Sequence, residues 1–270
     1  MKKNNLFSPQ HAEYIKKVKR ENILIIVLRF AILFLGLALW EILAKLEIID
    51  SFITSCPSKI FTTIALLFTE NNLLYHIGVT LYETLLGFLI AVFFGYAIAL
   101  LLWWSTRLRK ILEPYIVVLN SLPKIALGPI IIVWCGSGAK AIIFMAVLIG
   151  IIVAIITMLN GFLSTDNNKI LLLQSMGATK FQIMLKLVIP SSIPTFISML
   201  KISVGMAWIG SIMGEYLVSR AGLGYLIVYG GQVFKLDLVM ASTVVLCILA
   251  ATMYLMVAGL EKILIKHNPK

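Results

Sequence analysis

Long apolar runs separated by short polar connections dominate the pattern of this chain. A run of about twenty apolar residues is long enough to cross the roughly 30 Å hydrocarbon core of a bilayer as a helix. The third such run contains Pro123 and Pro129, which lack a backbone donor, so we expect this span to be kinked or interrupted. Six spans are predicted, at Asn22–Ala44, Val79–Trp104, Pro114–Trp134, Ala139–Leu159, Ile193–Tyr216 and Leu238–Leu260.

The stretch Pro57–His76 also carries apolar residues at helical spacing, but polar residues interrupt it too often for it to cross the membrane. We interpret it as an interfacial helix on the outer side. His76 is expected to lie in a loop.

The composition supports a membrane protein. Of the 270 residues, 60% are hydrophobic and 13% are charged, and the mean hydropathy is +1.00. An ordinary soluble domain is about 45–50% apolar and about 25% charged. The sequence therefore predicts an all-α integral membrane protein of about six transmembrane helices.

The basic residues predict the orientation of these helices. They gather in the N-terminal tail, after the second span, between the fourth and fifth spans, and at the C-terminal end. Cytoplasmic connections carry the excess of Lys and Arg, so both termini are predicted to be cytoplasmic. The opposite connections hold only Lys45, Lys59, Lys140, Arg220 and Lys235.

The predicted organisation is a basic cytoplasmic tail at 1–21, one membrane domain at 22–263 and a short cytoplasmic tail at 264–270. The first apolar run is interpreted as a retained anchor, since no small-residue cleavage pattern follows it. The net charge of +11 is assigned to the membrane surface and its lipids, and no nucleic-acid partner is predicted.

Chemistry-bearing residues are sparse. Cys56, Cys135 and Cys247 are far apart, and the three histidines are scattered, so neither a disulfide framework nor a metal site is predicted. No nucleophile, base and metal set is recognisable, and no G-x4-G-K-[ST] phosphate loop is present. The chain is therefore predicted to be neither an enzyme nor an ATPase.

The segment between the fourth and fifth spans is the most informative. It predicts two short helices over Asn167–Pro190, with Gly177 at the bend and Pro190 ending the segment. Apolar residues recur there at helical spacing and predict one apolar face, which has to pack against the bundle, the bilayer or a partner. These residues are Phe181, Met184, Leu185 and Val188.

Gly177, Leu187, Ile189 and Pro190 resemble the G-x9-I-x-L-P part of the coupling loop of ABC importer permeases. Three further segments resemble the nitrate, sulfonate and taurine branch of that family, in the same order along the chain. They are Thr80–Gly95, Leu122–Gly138 and Gly210–Leu226. The family has Glu-Ala-Ala where this chain has Leu171, Leu172 and Leu173, so a contact by that glutamate is not expected here.

The resemblance implies a type I ABC importer permease fold in a bacterial cell membrane. It also implies a homodimer of this chain, two copies of an ABC ATPase that bind ATP and Mg, and an extracytoplasmic substrate-binding protein. The chain itself would bind no cofactor. A cytoplasmic coupling loop at 160–190 would contact the ATPase through Gln174, Ser175, Gly177, Ala178, Thr179, Lys180, Leu187, Ile189 and Pro190.

Four residues are candidates for a solute pathway. Asn120 and Ser121 stand beside Pro123 in an otherwise apolar span, where a helix break frees polar groups; helix–helix hydrogen bonding is the alternative. Glu215, at the outer end of the fifth span, is either a pathway residue or a carboxylate paired with Arg220.

Other polar and small residues of the spans have simpler interpretations. Lys201 either lines an anion path or extends to the cytoplasmic surface, and the pair Trp103–Trp104 is interpreted as an interfacial belt. Close helix packing is predicted at Gly87, Gly95, Gly205, Gly210 and Gly214.

Two other classes of protein remain as alternatives: a self-contained carrier or channel, and a membrane-embedded enzyme. The first would show inverted repeats or ionisable residues in mid-span, and the second a reactive cluster. The solute predicted from the resemblance is small and polar or anionic, like a sulfonate, nitrate or taurine. A thiamine-precursor pyrimidine or riboflavin is the alternative.

Overall fold

The computed structural model describes residues 9–70 and 72–265, and these residues form helices and no strands. Part of the predicted tail at 1–21 and most of that at 264–270 lie outside the described residues. The chain divides into two compact units, Met1–Thr63 and Ile64–Lys270.

The first unit contains one long helix, α1 (Pro9–Lys45), and a short helix, α2 (Ser51–Thr54), whose N-cap is Asp50. Its apolar part, Lys17–Lys45, is long enough to cross a bilayer, which confirms the first predicted span. The helix α3 (Pro57–Glu70) begins in this unit. The stretch Pro57–His76 is thus helical as predicted, but α3 ends at Glu70 and His76 belongs to the next helix.

The second unit holds the remaining spans. Each of the predicted second, fourth, fifth and sixth spans is a single helix that is long and apolar enough to cross a membrane. In chain order the helices are α4 (Leu73–Trp104), α5 (Thr106–Ser121), α6 (Gly128–Cys135), α7 (Ala139–Leu163), α8 (Asn167–Ser175), α9 (Lys180–Ile183), α10 (Ile189–Ser191), α11 (Ile193–Val218), α12 (Leu223–Gln232) and α13 (Leu236–Ile265).

The predicted third span is broken. The segments Thr106–Ser121 and Lys124–Cys135 meet at an angle of 86°. Leu122 is extended, the conformation favoured before a proline, and Pro123 cannot donate a backbone hydrogen bond. The interruption predicted at Pro123 is confirmed, whereas Pro129 lies in the first turn of α6, where proline is tolerated.

The helix α7 lies between α4 and α11 and forms the centre of the second unit. Small residues permit this packing, because a Cβ atom added at Gly87, Gly95 or Gly210 would collide with Ala146 or Ala154 of α7. The Thr84 and Ser211 hydroxyls form a 2.6 Å hydrogen bond between α4 and α11. Gly205 has no such neighbour within the chain, and its predicted close packing stays a prediction for a contact between two copies.

Candidate functional site

The segment between α7 and α11 forms two short helices joined at a tight bend, as predicted. Gly177 has φ +79°, a conformation that side chains with a Cβ atom rarely adopt. The amides of Gly177 and Ala178 donate to the carbonyls of Gln174 and Leu173, each at 2.9 Å, and so close the end of α8.

The second helix begins with a capping box. The Thr179 hydroxyl accepts from the Gln182 amide at 3.3 Å, and the Gln182 side chain accepts from the Thr179 amide at 2.8 Å. Both donors at the start of α9 are therefore satisfied within the loop. The direction in which α9 leaves the bend is set by these local contacts.

A wide π turn at Met184–Val188 connects α9 to α10. The Ile189 amide bonds to the Met184 carbonyl five residues back, and Pro190 has no amide to offer. The helix runs through Pro190 and breaks at Ser192. The prediction that Pro190 ends the segment is wrong by two residues, because the wider turn accommodates the proline.

The π turn also changes which apolar residues face the bundle. Ile183 and Val188, five residues apart, are buried in one core cluster with Leu187 packed against it. Phe181 and Leu185 are exposed whereas Val188 is buried, so the prediction that these residues share one face is wrong. A regular period of 3.6 residues does not hold across a turn of i→i+5 hydrogen bonds.

Five large apolar side chains of this segment are exposed. Met176 at the bend is 74% exposed. Exposed apolar patches of this kind mark interaction surfaces. We call this surface the loop patch, and it consists of Leu171, Leu172, Met176, Phe181 and Leu185.

Lys180 ties the loop to the end of α4. Its Nζ atom donates to the Trp104 carbonyl at 2.5 Å and lies 5.7 Å and 5.3 Å from the ring centroids of Trp103 and Trp104. An ammonium group at this distance from an indole ring is attracted to its face. The two tryptophans, predicted to be an interfacial belt, therefore also hold the loop.

At the other end of the unit, side chains satisfy the first amides of α12. Glu215 Oε2 accepts from the Gly224 amide at 2.6 Å and Thr80 Oγ1 accepts from the Leu223 amide at 2.8 Å. The Gly222 amide donates to Nδ1 of His76 at 3.0 Å. Gly222 has φ +111°, and any Cβ atom there would collide with Glu215.

Glu215 is 1% exposed and faces the positive end of the α12 dipole. It forms no ion pair with Arg220 in the part of the chain that the structure describes. The ion pair of Glu215 with Arg220, which was the alternative interpretation, is therefore not present in this structure.

A second carboxyl group, Glu83 of α4, lies beside Glu215 and is 2% exposed. Sequence reasoning missed it, as it missed Thr80 and His76. The signal for Glu83 was available, since an acidic residue inside an apolar span is a functional candidate by default. Thr80 and His76 carried no such signal, because their role depends on where α12 begins.

A cavity of about 530 Å³ opens at the same end of the unit, where α4 and α7 begin and α11 ends. Glu83 lines this cavity, together with Arg220 beyond the end of α11, whereas Glu215 lies behind it. Its wall consists of Tyr75, Gly78, Val79, Tyr82, Glu83, Gly138, Ala139, Ser219, Arg220 and Ala221.

The remaining sequence candidates lie apart from this cavity. Asn120, Ser121 and Pro123 are exposed at the break between α5 and α6. Lys201 pairs with Glu261 of α13 at 2.5 Å, which neither interpretation of this lysine predicted. Within residues 9–70 and 72–265, no three His, Cys, Asp or Glu side chains are grouped as a metal site.

The fold and the loop define a class of membrane transport subunit. Residues 87–267 match the family described as binding-protein-dependent transport system inner membrane component, and the chain belongs to this family. It is thus an ABC transporter permease, a multi-pass protein of the bacterial inner membrane. Such subunits transport and do not catalyse, because the ATPase is a separate subunit.

Relatives of this chain are described as permeases of the same class. A protein of Haemophilus influenzae described as an ABC transporter permease is 31% identical, over 81% of this chain and 88% of its own. The formylaminopyrimidine transport permease of Halalkalibacterium halodurans is 32% identical, over 70% of this chain and 75% of its own. The taurine transport system permease of Escherichia coli is 25% identical, over 84% of each chain.

Solved structures show the same fold. A chain of a bacterial alginate ABC transporter, in complex with a pentasaccharide-bound periplasmic protein, gives a TM-score of 0.64 at 16% identity, over 92% of this chain and 96% of that one. A chain of the inward-facing MetNI methionine transporter gives a TM-score of 0.63 at 19% identity, over 72% of this chain and 99% of that one. The predicted importer permease fold is confirmed.

Proposed function

We propose that two copies of this chain form the membrane channel of an ABC importer that carries a small polar or anionic solute inward. A partner ATPase, present in two copies, binds ATP and Mg and supplies the energy. An extracytoplasmic substrate-binding protein delivers the solute. The observation that carries this proposal is the loop patch, an exposed apolar surface held at one end of the bundle.

The loop patch offers the ATPase an apolar contact. Because Leu171, Leu172 and Leu173 replace the family's Glu-Ala-Ala, docking relies on buried apolar area and not on a glutamate. The polar residues around the patch, Gln174, Ser175, Thr179 and Lys180, are exposed at its rim. Interfaces commonly combine an apolar centre with a polar rim in this way.

The loop is also built to transmit movement. Its inner side is anchored by Ile183, Val188 and Leu187 in the core shared with α7 and α11. Lys180 fixes the same loop to the end of α4. A displacement of the loop by the ATPase would therefore reach three spans at once, which is what a two-state coupling element requires.

The solute would pass between the two copies of the chain, along the break between α5 and α6. Asn120 and Ser121 are exposed there, and Pro123 keeps backbone groups free of helix bonding. Glu215 contributes from a buried position, by holding the start of α12 against α4 and α11.

A sulfonate or taurine is the first solute class that the resemblance implies. A thiamine-precursor pyrimidine is the second candidate. The chain is 32% identical to the formylaminopyrimidine permease and 25% identical to the taurine permease, and this difference supports the pyrimidine. A comparison of the uptake rates of taurine and of formylaminopyrimidine by the complete complex would decide between them.

The test of the proposed function is co-purification of the tagged chain from native membranes, followed by mass spectrometry. We expect an ABC ATPase near one copy per chain. Leu172→Glu should abolish its recovery, because a charge in the loop patch would be buried in the contact. Leu74→Ser, an exposed apolar residue at the other end of the bundle, is the matched control. Recovery of the chain alone, or of the ATPase by Leu172→Glu, would contradict the proposal.

A further inference from the structure

The cavity at the end of the unit where α4 begins is not explained by the loop or by the α5–α6 break. It has a volume of about 530 Å³, large enough for a small solute. Two aromatic side chains, Tyr75 and Tyr82, line it and are themselves exposed. Its polar wall groups are Glu83, Ser219 and Arg220.

Glu83 is the chemically unusual member of this wall. Its side chain is buried against the carboxyl group of Glu215, and Oε2 accepts no hydrogen bond from any described N–H or O–H group. Behind it, Glu215 Oε2 accepts from the Gly224 amide at the start of α12, but Glu215 Oε1 likewise has no described donor. Two adjacent buried acids with too few donors are stabilised by a further donor group, and Glu83 is the member of this pair that lines the cavity.

Arg220 gives the cavity a second and opposite character. It lies two residues beyond α11, is exposed and forms no ion pair in the described part of the chain. A guanidinium group binds carboxylate, sulfonate or other acceptor oxygens. The cavity therefore presents an acid and a guanidinium group to the same small space.

We propose that this cavity is a solute site of the permease, which takes a small solute with an amino group for Glu83 and an acceptor group for Arg220. The site rests on the proposed function and narrows its solute class to amino-bearing compounds. Both an amino sulfonate such as taurine and an aminopyrimidine carry this chemistry. Plain alkanesulfonates and nitrate do not.

Protection from thiol labelling tests the site without relying on transport. In a chain whose three cysteines are replaced by serine, Ala139→Cys places a thiol in the cavity wall, and Lys140→Cys places one on the next residue, outside it. A maleimide is applied to the complex with its ATPase, with taurine, formylaminopyrimidine or propanesulfonate present. Labelling should slow about tenfold at Ala139→Cys when an amino solute is at about ten times its Kd.

The three solutes separate the possible results. Protection by taurine or by formylaminopyrimidine, at Ala139→Cys and not at Lys140→Cys, supports the site and identifies which compound occupies it. Equal protection by propanesulfonate, which replaces the amino group of taurine by a methyl group, overturns the role of Glu83. Absence of protection by all three overturns the site.

Selectivity of uptake provides the second measurement. In the complete complex, Glu83→Gln should lower the ratio of kcat/KM for the amino solute to that for its analogue without the amino group by about tenfold, the factor expected for one hydrogen bond to a charged group. Tyr82→Ala serves as a second variant if Glu83→Gln fails to fold. It removes an exposed wall residue without disturbing the core, and it should raise KM for the amino solute. Glu113→Gln, an exposed acid of α5, is the control.

These results also distinguish failure of the site from failure of the proposed function. ATP-driven uptake by the unaltered complex, with selectivity unchanged in Glu83→Gln and KM unchanged in Tyr82→Ala, overturns the site and leaves the proposed function intact. A complex without ATP-driven uptake of any solute overturns the proposed function and the site with it.

Discussion

Among single residues, Gly177 is the one whose backbone conformation the loop needs most. At φ +79° a β-branched side chain is strained by about 1–2 kcal/mol, whereas asparagine tolerates the left-handed region better. We expect Gly177→Val to abolish uptake with membrane insertion intact, and Gly177→Asn to retain most of it. Normal uptake by Gly177→Val would contradict a coupling role for this bend.

Glu215 is expected to act mainly on stability. Glu215→Ala leaves the Gly224 amide without its acceptor, which should lower the free energy of unfolding by about 1–3 kcal/mol. Glu215→Gln keeps an acceptor oxygen and should lose less. Thermal unfolding of the purified chain measures the order, with the exposed Glu113→Ala as control. An unchanged Tm in Glu215→Ala would show that α12 is held by other contacts.

For the helices as elements, the packing of α7 against α11 leads to a prediction within one helix. Gly210 lies against the backbone of Ala146, and Gly205 faces open space. Gly210→Ala should destabilise the chain by about 1–3 kcal/mol through overpacking. Gly205→Ala should be neutral or slightly stabilising, because alanine favours a helix over glycine. Equal Tm values for the two variants would contradict the described helix contact.

The broken span and the π turn show where helical periodicity stops being a guide. The break at Pro123 was predictable, because proline removes a donor and restricts the residue before it. That Phe181 is exposed while Val188 is buried was not predictable. It depends on a π turn that forms where Pro190 meets the packing of Ile183 and Val188, and no apolar pattern of period 3.6 reports it.

For the whole molecule, the orientation in the membrane is a prediction from the basic residues alone. In the chain without native cysteines, Lys140→Cys should react with an impermeant maleimide on intact cells. Asn168→Cys, in the loop, should react only after the membrane is opened. The two sites lie at opposite ends of α7, so each is the control for the other. The reverse pattern would place the loop and both termini outside the cell.

Sequence patterns alone establish that the chain is a helical membrane protein, where its spans lie and which family it belongs to. Hydropathy acts over about twenty consecutive residues, so these properties are local in the chain. The bend at Gly177 and the break at Pro123 were local as well, since each depends on the backbone of one residue.

Which polar residues meet follows from the packing of the helices and is not readable from the chain. Glu83 and Glu215 are 132 positions apart, and their contact depends on how α4 and α11 pack around α7. The partners of Lys201 and Lys180 depend in the same way on α13 and on the end of α4. Contacts between distant segments follow from packing of the whole unit, which no local pattern encodes, and the cavity beside Glu83 exists only because of that packing.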